Sequence, residues 1–150
     1  MTLFNPPRLG IFRLLVAATL VTTVVGAAFS GESIKVFVLA GQSNMEGKGL
    51  PEHLVTYKND PLIVDSYEVL RTGQDWAVRD DVWITYPSKT QGAKHGPLTV
   101  GYGTKGETSI GPEFGFGHAV GEALKSPVLI IKVAWGGKSI AVDFRPPSAG

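Results

Sequence analysis

Ser43 stands in the segment Gly41-Gln42-Ser43-Asn44-Met45-Glu46-Gly47, directly after the apolar run Ile34 to Ala40. A serine hydroxyl attacks an ester carbonyl at neutral pH only when a base takes its proton and fixed N–H donors receive the developing oxyanion. Acyl-transfer chemistry at Ser43 therefore requires a base and donors from elsewhere in the chain. A second apolar run, Val128 to Ala134, also ends in small residues, Trp135-Gly136-Gly137-Lys138-Ser139. Three histidines are present, at 53, 95 and 118. Asp80 and Asp81 are neighbours and would point apart on a strand. No His, Asp and Glu cluster has metal-ligand spacing, and no metal or cofactor is expected.

The elements that must position these residues follow from hydrophobic patterning. Ile34–Ala40 and Val128–Ala134 are apolar on both faces apart from Lys35 and Lys132, the pattern of strands buried in a parallel sheet. Ligand sites in such sheets lie beyond the carboxyl ends of the strands, which is where Ser43 and Gly136-Gly137 fall. Pro112 and Glu113 open a helix carrying apolar positions at Phe114, Ala119, Val120, Ala123 and Leu124, and Ser126-Pro127 closes it. Glycines 115, 117 and 121 each cost about 1 kcal/mol against alanine inside a helix, so they point to close approach of a neighbouring backbone. Strand, connection, helix and strand make a βαβ-type unit. Between them, Lys48–Asp60 reads as surface connection and Leu62–Leu70 as a short strand. Val82–Tyr86 and Leu98–Tyr102 read as a hairpin with a long tip over Ser88–Gly96, an insertion decorating the sheet and not its centre.

The first thirty residues differ from the rest. Arg8 and Arg13 precede the run Leu14–Val25, and Gly26-Ala27-Ala28-Phe29-Ser30 follows with small residues, the three regions of a secretory signal peptide. Residues 1–30 are read as that signal and 31–150 as one domain, giving a secreted or periplasmic protein. An uncleaved membrane anchor is the alternative, although Leu14–Val25 falls short of the roughly 20 residues a span needs. The formal net charge is +1, and loss of both arginines with the signal leaves 12 basic against 13 acidic residues. That balance lacks the basic stripe of nucleic-acid binders. The absence of cysteine excludes a disulfide framework and thiolate metal sites.

Three blocks carry a family resemblance: Gly41-Gln42-Ser43-Asn44-Met45, Gly111-Pro112-Glu113-Phe114-Gly115 and Lys132-Val133-Ala134-Trp135-Gly136-Gly137. Their identity and order resemble the sialate O-acetylesterase-like carbohydrate esterases, a group of SGNH hydrolases that includes acetyl xylan esterases. The resemblance spans about Ile34 to Gly150 and is least diagnostic over residues 48–109. It implies a three-layer flavodoxin-like α/β fold, here its N-terminal part. It also implies that Ser43 is the nucleophile and its own N–H one oxyanion donor, that Gly136 or Gly137 supplies a second donor, and that Gln42 and Asn44 hold the loop or touch substrate. Trp135 is read either as packing beside the site or as a platform for a sugar ring. With Met45 where a lipase-type Gly-x-Ser-x-Gly elbow has glycine, that elbow does not apply.

The implied substrate is an acetylated carbohydrate, and the implied products are the deacetylated sugar and acetate. The family's base is a histidine three residues after its acidic partner, yet Leu50, Gly92 and Gly115 precede the three histidines at that spacing. The expectation is an exported carbohydrate O-acetylesterase that is inactive as this chain, read as an N-terminal portion. The alternative is a non-catalytic carbohydrate-binding or surface protein on the same scaffold.

Overall fold

The computed structural model describes residues 33–139 and 141–149; the expected signal segment lies outside them. A four-stranded sheet is ordered β1-β6-β4-β5, with β1 at Lys35–Gly41, β4 at Arg79–Ser88, β5 at Gly92–Leu98 and β6 at Val128–Ala134. β1 and β4 both run parallel to β6, and β5 returns antiparallel to β4. Two further short strands, β2 (Arg71–Thr72) and β3 (Asp75–Trp76), form a separate ribbon. The result is a mixed α/β architecture.

The two apolar runs form strands paired along their whole length, from Lys35 opposite Val128 to Gly41 opposite Ala134. Burial alternates along β6. Val128, Ile130, Lys132 and Ala134 face inward with Val82, Ile84 and Tyr86 of β4 and Leu98 of β5. Helix α3 (Pro112–Leu124) covers this face, with Phe116 edge-on to Phe37 of β1 at 5.3 Å. Pro112 takes the first turn, and the Glu113 carboxylate accepts the Gly111 N–H at 2.8 Å, satisfying a donor at the helix start. The helix ends at Lys125 in a left-handed conformation (φ 50°), two residues before Pro127.

Several expectations change. β1 is an edge strand buried on one face only: among the described residues Ile34, Val36 and Val38 remain 61%, 54% and 64% exposed, as does half of Trp83. Residues 82–86 do pair antiparallel with a following strand, but not with 98–102, and that hairpin is no decoration, because β4 sits inside the sheet against β6. Its tip is short, Lys89 to Gln91, and its second strand is Gly92–Leu98, whereas 99–102 is not strand. Pro97 and two glycines are acceptable in β5 because it lies at the sheet edge. Residues 62–70 form turns and the short helix α2 (Val64–Glu68) instead of a strand. Pro51–Tyr57, within the expected surface connection, is a 3₁₀ helix.

Candidate active site

Ser43 begins a single helical turn, α1 (Ser43–Glu46), immediately after β1 ends at Gly41. Gln42 caps it through its main chain, its carbonyl accepting the Glu46 N–H at 2.8 Å, with no side-chain cap. The amides of a first helical turn have no partner within the helix. The chain must double back tightly here: a Cβ on Gly41 would lie 2.7 Å from Cβ of Met45, so no larger residue fits. Ser43 and Asn44 line an open cleft of about 600 Å³ whose other wall is Gly47, Lys48, Gly49, Ile110 and Gly111.

That wall is built by close backbone packing. Gly49 and Ile110 exchange hydrogen bonds at 2.9 and 3.0 Å, and the Thr104 N–H donates to the Gly47 carbonyl at 2.8 Å. A Cβ on Gly47 would fall 2.3 Å from Cα of Gly111, and Gly47 also sits at φ +78°, so glycine is required twice over. Lys94 reaches across from β5 to donate to the carbonyls of Gly101 and Gly103 at 2.6 and 3.1 Å, holding the loop before Gly111.

Beneath the cleft lies a fully buried ion pair. Lys132 Nζ, on β6, donates to Glu113 Oε2 at 2.7 Å, to the Tyr102 carbonyl at 2.7 Å and to the Glu46 carbonyl at 3.0 Å. These three bonds use all its donors, and the Tyr86 ring adds a face 4.6 Å from the ammonium. Burial holds the Lys132 ammonium below the usual lysine value, and Glu113 opposes that shift. Removing one partner of such a pair leaves an uncompensated buried charge, at a cost of about 3–5 kcal/mol. Glu113 and Lys132 belong to two of the three sequence blocks, yet the sequence reading gives Glu113 only a place at the helix start and Lys132 no role at the site. The signal was available: Lys132 is the one charge in an apolar strand.

The sequence matches the family described as carbohydrate esterase, sialic acid-specific acetylesterase, over residues 33–148. The chain belongs to that carbohydrate esterase family. No curated protein matches it. A crystal structure of a protein from Arabidopsis thaliana aligns with a TM-score of 0.38 at 20% sequence identity, over 71% of this chain and 42% of that one. The chain thus spans less than half the length of that protein.

Among the site residues expected of a carbohydrate esterase, Ser43 and Asn44 meet at one cleft. Gln42 lines a smaller neighbouring hollow of about 90 Å³ with Gly41, Lys138 and Phe144. Gly136 and Gly137 line neither hollow. The Gly136 N–H, expected as an oxyanion donor, instead donates to Glu46 Oε1 at 2.7 Å. Gly137 occupies the left-handed region (φ +72°) of the turn closed by the Lys138 N–H on the Trp135 carbonyl. Trp135 packs within its own chain: Phe144 stacks at 5.1 Å and Lys89 lies 4.4 Å from its ring centre.

None of the three histidines lines the Ser43 cleft. His53 is exposed on the 3₁₀ helix, and His95 is exposed on β5 opposite Thr85. His118 is buried in α3, 4.9 Å from the Phe114 ring, and neither ring nitrogen has a hydrogen-bond partner among the described residues. Its charged neighbours, Arg79 and Asp81, stand at the start of β4, the sheet end opposite Ser43. Burial, then Arg79, depress its pKa, against Asp81 and the Val69 backbone. Among the described residues no group of three or more His, Asp or Glu side chains is placed to hold a metal ion, and no helix is long and apolar enough to cross a membrane.

Proposed function

We propose that this chain carries the nucleophile of an exported serine O-acetylesterase acting on acetylated carbohydrates, on a three-layer flavodoxin-like scaffold of the SGNH type. The observation that carries the reading is the position of Ser43: the first residue of a helical turn at the carboxyl end of a parallel strand, on an open cleft. Family membership supports the ester and the sugar, and the signal-like residues 1–30 support export. In this reading Ser43 Oγ attacks the acetyl carbonyl carbon while a base removes its proton, and the N–H of Ser43 receives the oxyanion. The sugar hydroxyl leaves with a proton, and water then releases acetate from the acetyl-serine.

None of His53, His95 and His118 lines the cleft; in this reading the chain by itself brings no histidine base to Ser43, and its own turnover is expected to be negligible. The same placement favours a second reading, in which the scaffold binds acetylated carbohydrate without turning it over. An external base separates the two. Acetate release from an O-acetylated sugar is measured for wild type and Ser43→Ala, with and without imidazole. The esterase reading expects equal rates without imidazole and a wild-type excess with it. Equal rates under both conditions would leave the binding reading standing.

A further inference from the structure

We infer that Glu46 is the positioning residue of the serine turn, fastening it to the strand beneath and to the glycine loop beside it. The inference rests on the reading of Ser43 as the acyl acceptor and adds the residue that aims it. A helix of one turn is not stable by its own hydrogen bonds, because nucleation is unfavourable and there is nothing to propagate. The direction of Ser43 is therefore set by what grips the turn at its ends. At the start, Gln42 contributes no side-chain bond.

Glu46, at the end, makes two contacts from one residue: its carbonyl accepts from Lys132 Nζ at 3.0 Å, and its Oε1 accepts the Gly136 N–H at 2.7 Å. The first contact is backed by the buried pair, since Lys132 is itself fixed by Glu113 and the Tyr102 carbonyl. The second is sensitive to what stands at Gly136: a Cβ there would lie 2.8 Å from Glu46 Oε2 and would push the carboxylate out of its place. Gly136 serves as the anchor of this clamp, and its N–H is already spent on the carboxylate.

Misplacement of a reacting group by about 1 Å can cost on the order of 100-fold in rate. The test follows transfer of acetyl from an aryl acetate to Ser43, with imidazole present, in wild type, Glu46→Gln, Glu46→Ala and Gly136→Ala. Thermal melting and amide exchange over residues 43–47 are recorded on the same proteins. Expected is at least a roughly 10-fold slower acylation in Glu46→Ala and Gly136→Ala, with faster exchange over the turn. Glu46→Gln, whose amide oxygen can accept the same N–H, keeps most of the wild-type rate. Wild-type rate and exchange in Glu46→Ala would overturn the assignment, and so would a Glu46→Gln as slow as Glu46→Ala. If wild type itself takes no acetyl on Ser43, the serine reading fails, and the exchange comparison still decides whether Glu46 holds the turn.

Discussion

At the scale of single residues, the chain sets a hydroxyl on an open cleft that none of its three histidines lines. His118 is the clearest case. Among the described residues neither nitrogen of its buried ring makes a hydrogen bond of good geometry, and burial followed by Arg79 holds its pKa below the usual histidine value. The unfolded chain, where this histidine titrates near about 6.5, therefore takes up its proton first as the pH falls. Asp81 favours the charged form but does not reverse that direction. Stability attributable to His118 is thus intact above about pH 6.5 and is lost as the pH falls from there toward the folded-state pKa. His118→Leu is expected to melt with a smaller drop between about pH 7.5 and about pH 5.5 than wild type. An identical drop in the two proteins would show that His118 is not the titrating group. Ser43-dependent acylation in imidazole should be unaffected by the same change, as befits a histidine at the other end of the sheet.

At the scale of elements, helix α3 shows how a glycine pattern becomes a packing map. The three glycines suggest close approach of a neighbouring backbone; at two of them the approach is close, but side chains make it. A Cβ at Gly117 would lie 2.1 Å from Leu98 Cδ2 and 3.0 Å from Ile130 Cδ1, and one at Gly121 would lie 2.6 Å from Val82 Cγ2. Gly115 faces open space. Alanine gains about 1 kcal/mol of helix propensity at each site, but overpacking a full core costs about 1–3 kcal/mol. Urea unfolding should therefore find Gly115→Ala stabilised by about 0.5–1 kcal/mol and Gly117→Ala destabilised, Leu98 being fully buried with nowhere to move. The reverse order would contradict the packing of α3 on β5 and β6.

The elements also show which features the residues announced. β1, β6 and α3 were legible because apolar runs and the Pro112-Glu113 opening are local signals. β5 was hidden because Gly92-Ala93-Lys94-His95-Gly96-Pro97-Leu98 has no strand composition, and its strand character comes from backbone pairing with β4. Residues 64–68, short and mixed in composition, give no period long enough to tell a helical turn from a strand.

At the scale of the whole molecule, the buried charges link the three sequence blocks into one site. Lys132 of the third block binds Glu113 of the second and the Glu46 carbonyl just beyond the first. The blocks were legible as a set, and Lys132 stood out as a charge in a hydrophobic strand. Its partners could not be read from spacing, because Glu46, Tyr102 and Glu113 lie 86, 30 and 19 residues away and meet only when β6 pairs with β1 and α3 folds across both. The engagement of Gly136 by Glu46 was equally invisible for that reason. What the fold delivers is a serine at an open cleft. The most direct test is peptide mapping by mass spectrometry after incubation with an aryl acetate and imidazole. The account predicts an acetyl group on the peptide containing Ser43 that is absent from Ser43→Ala. Acetyl groups confined to lysines, with Ser43 unmodified in the wild-type chain, would contradict it.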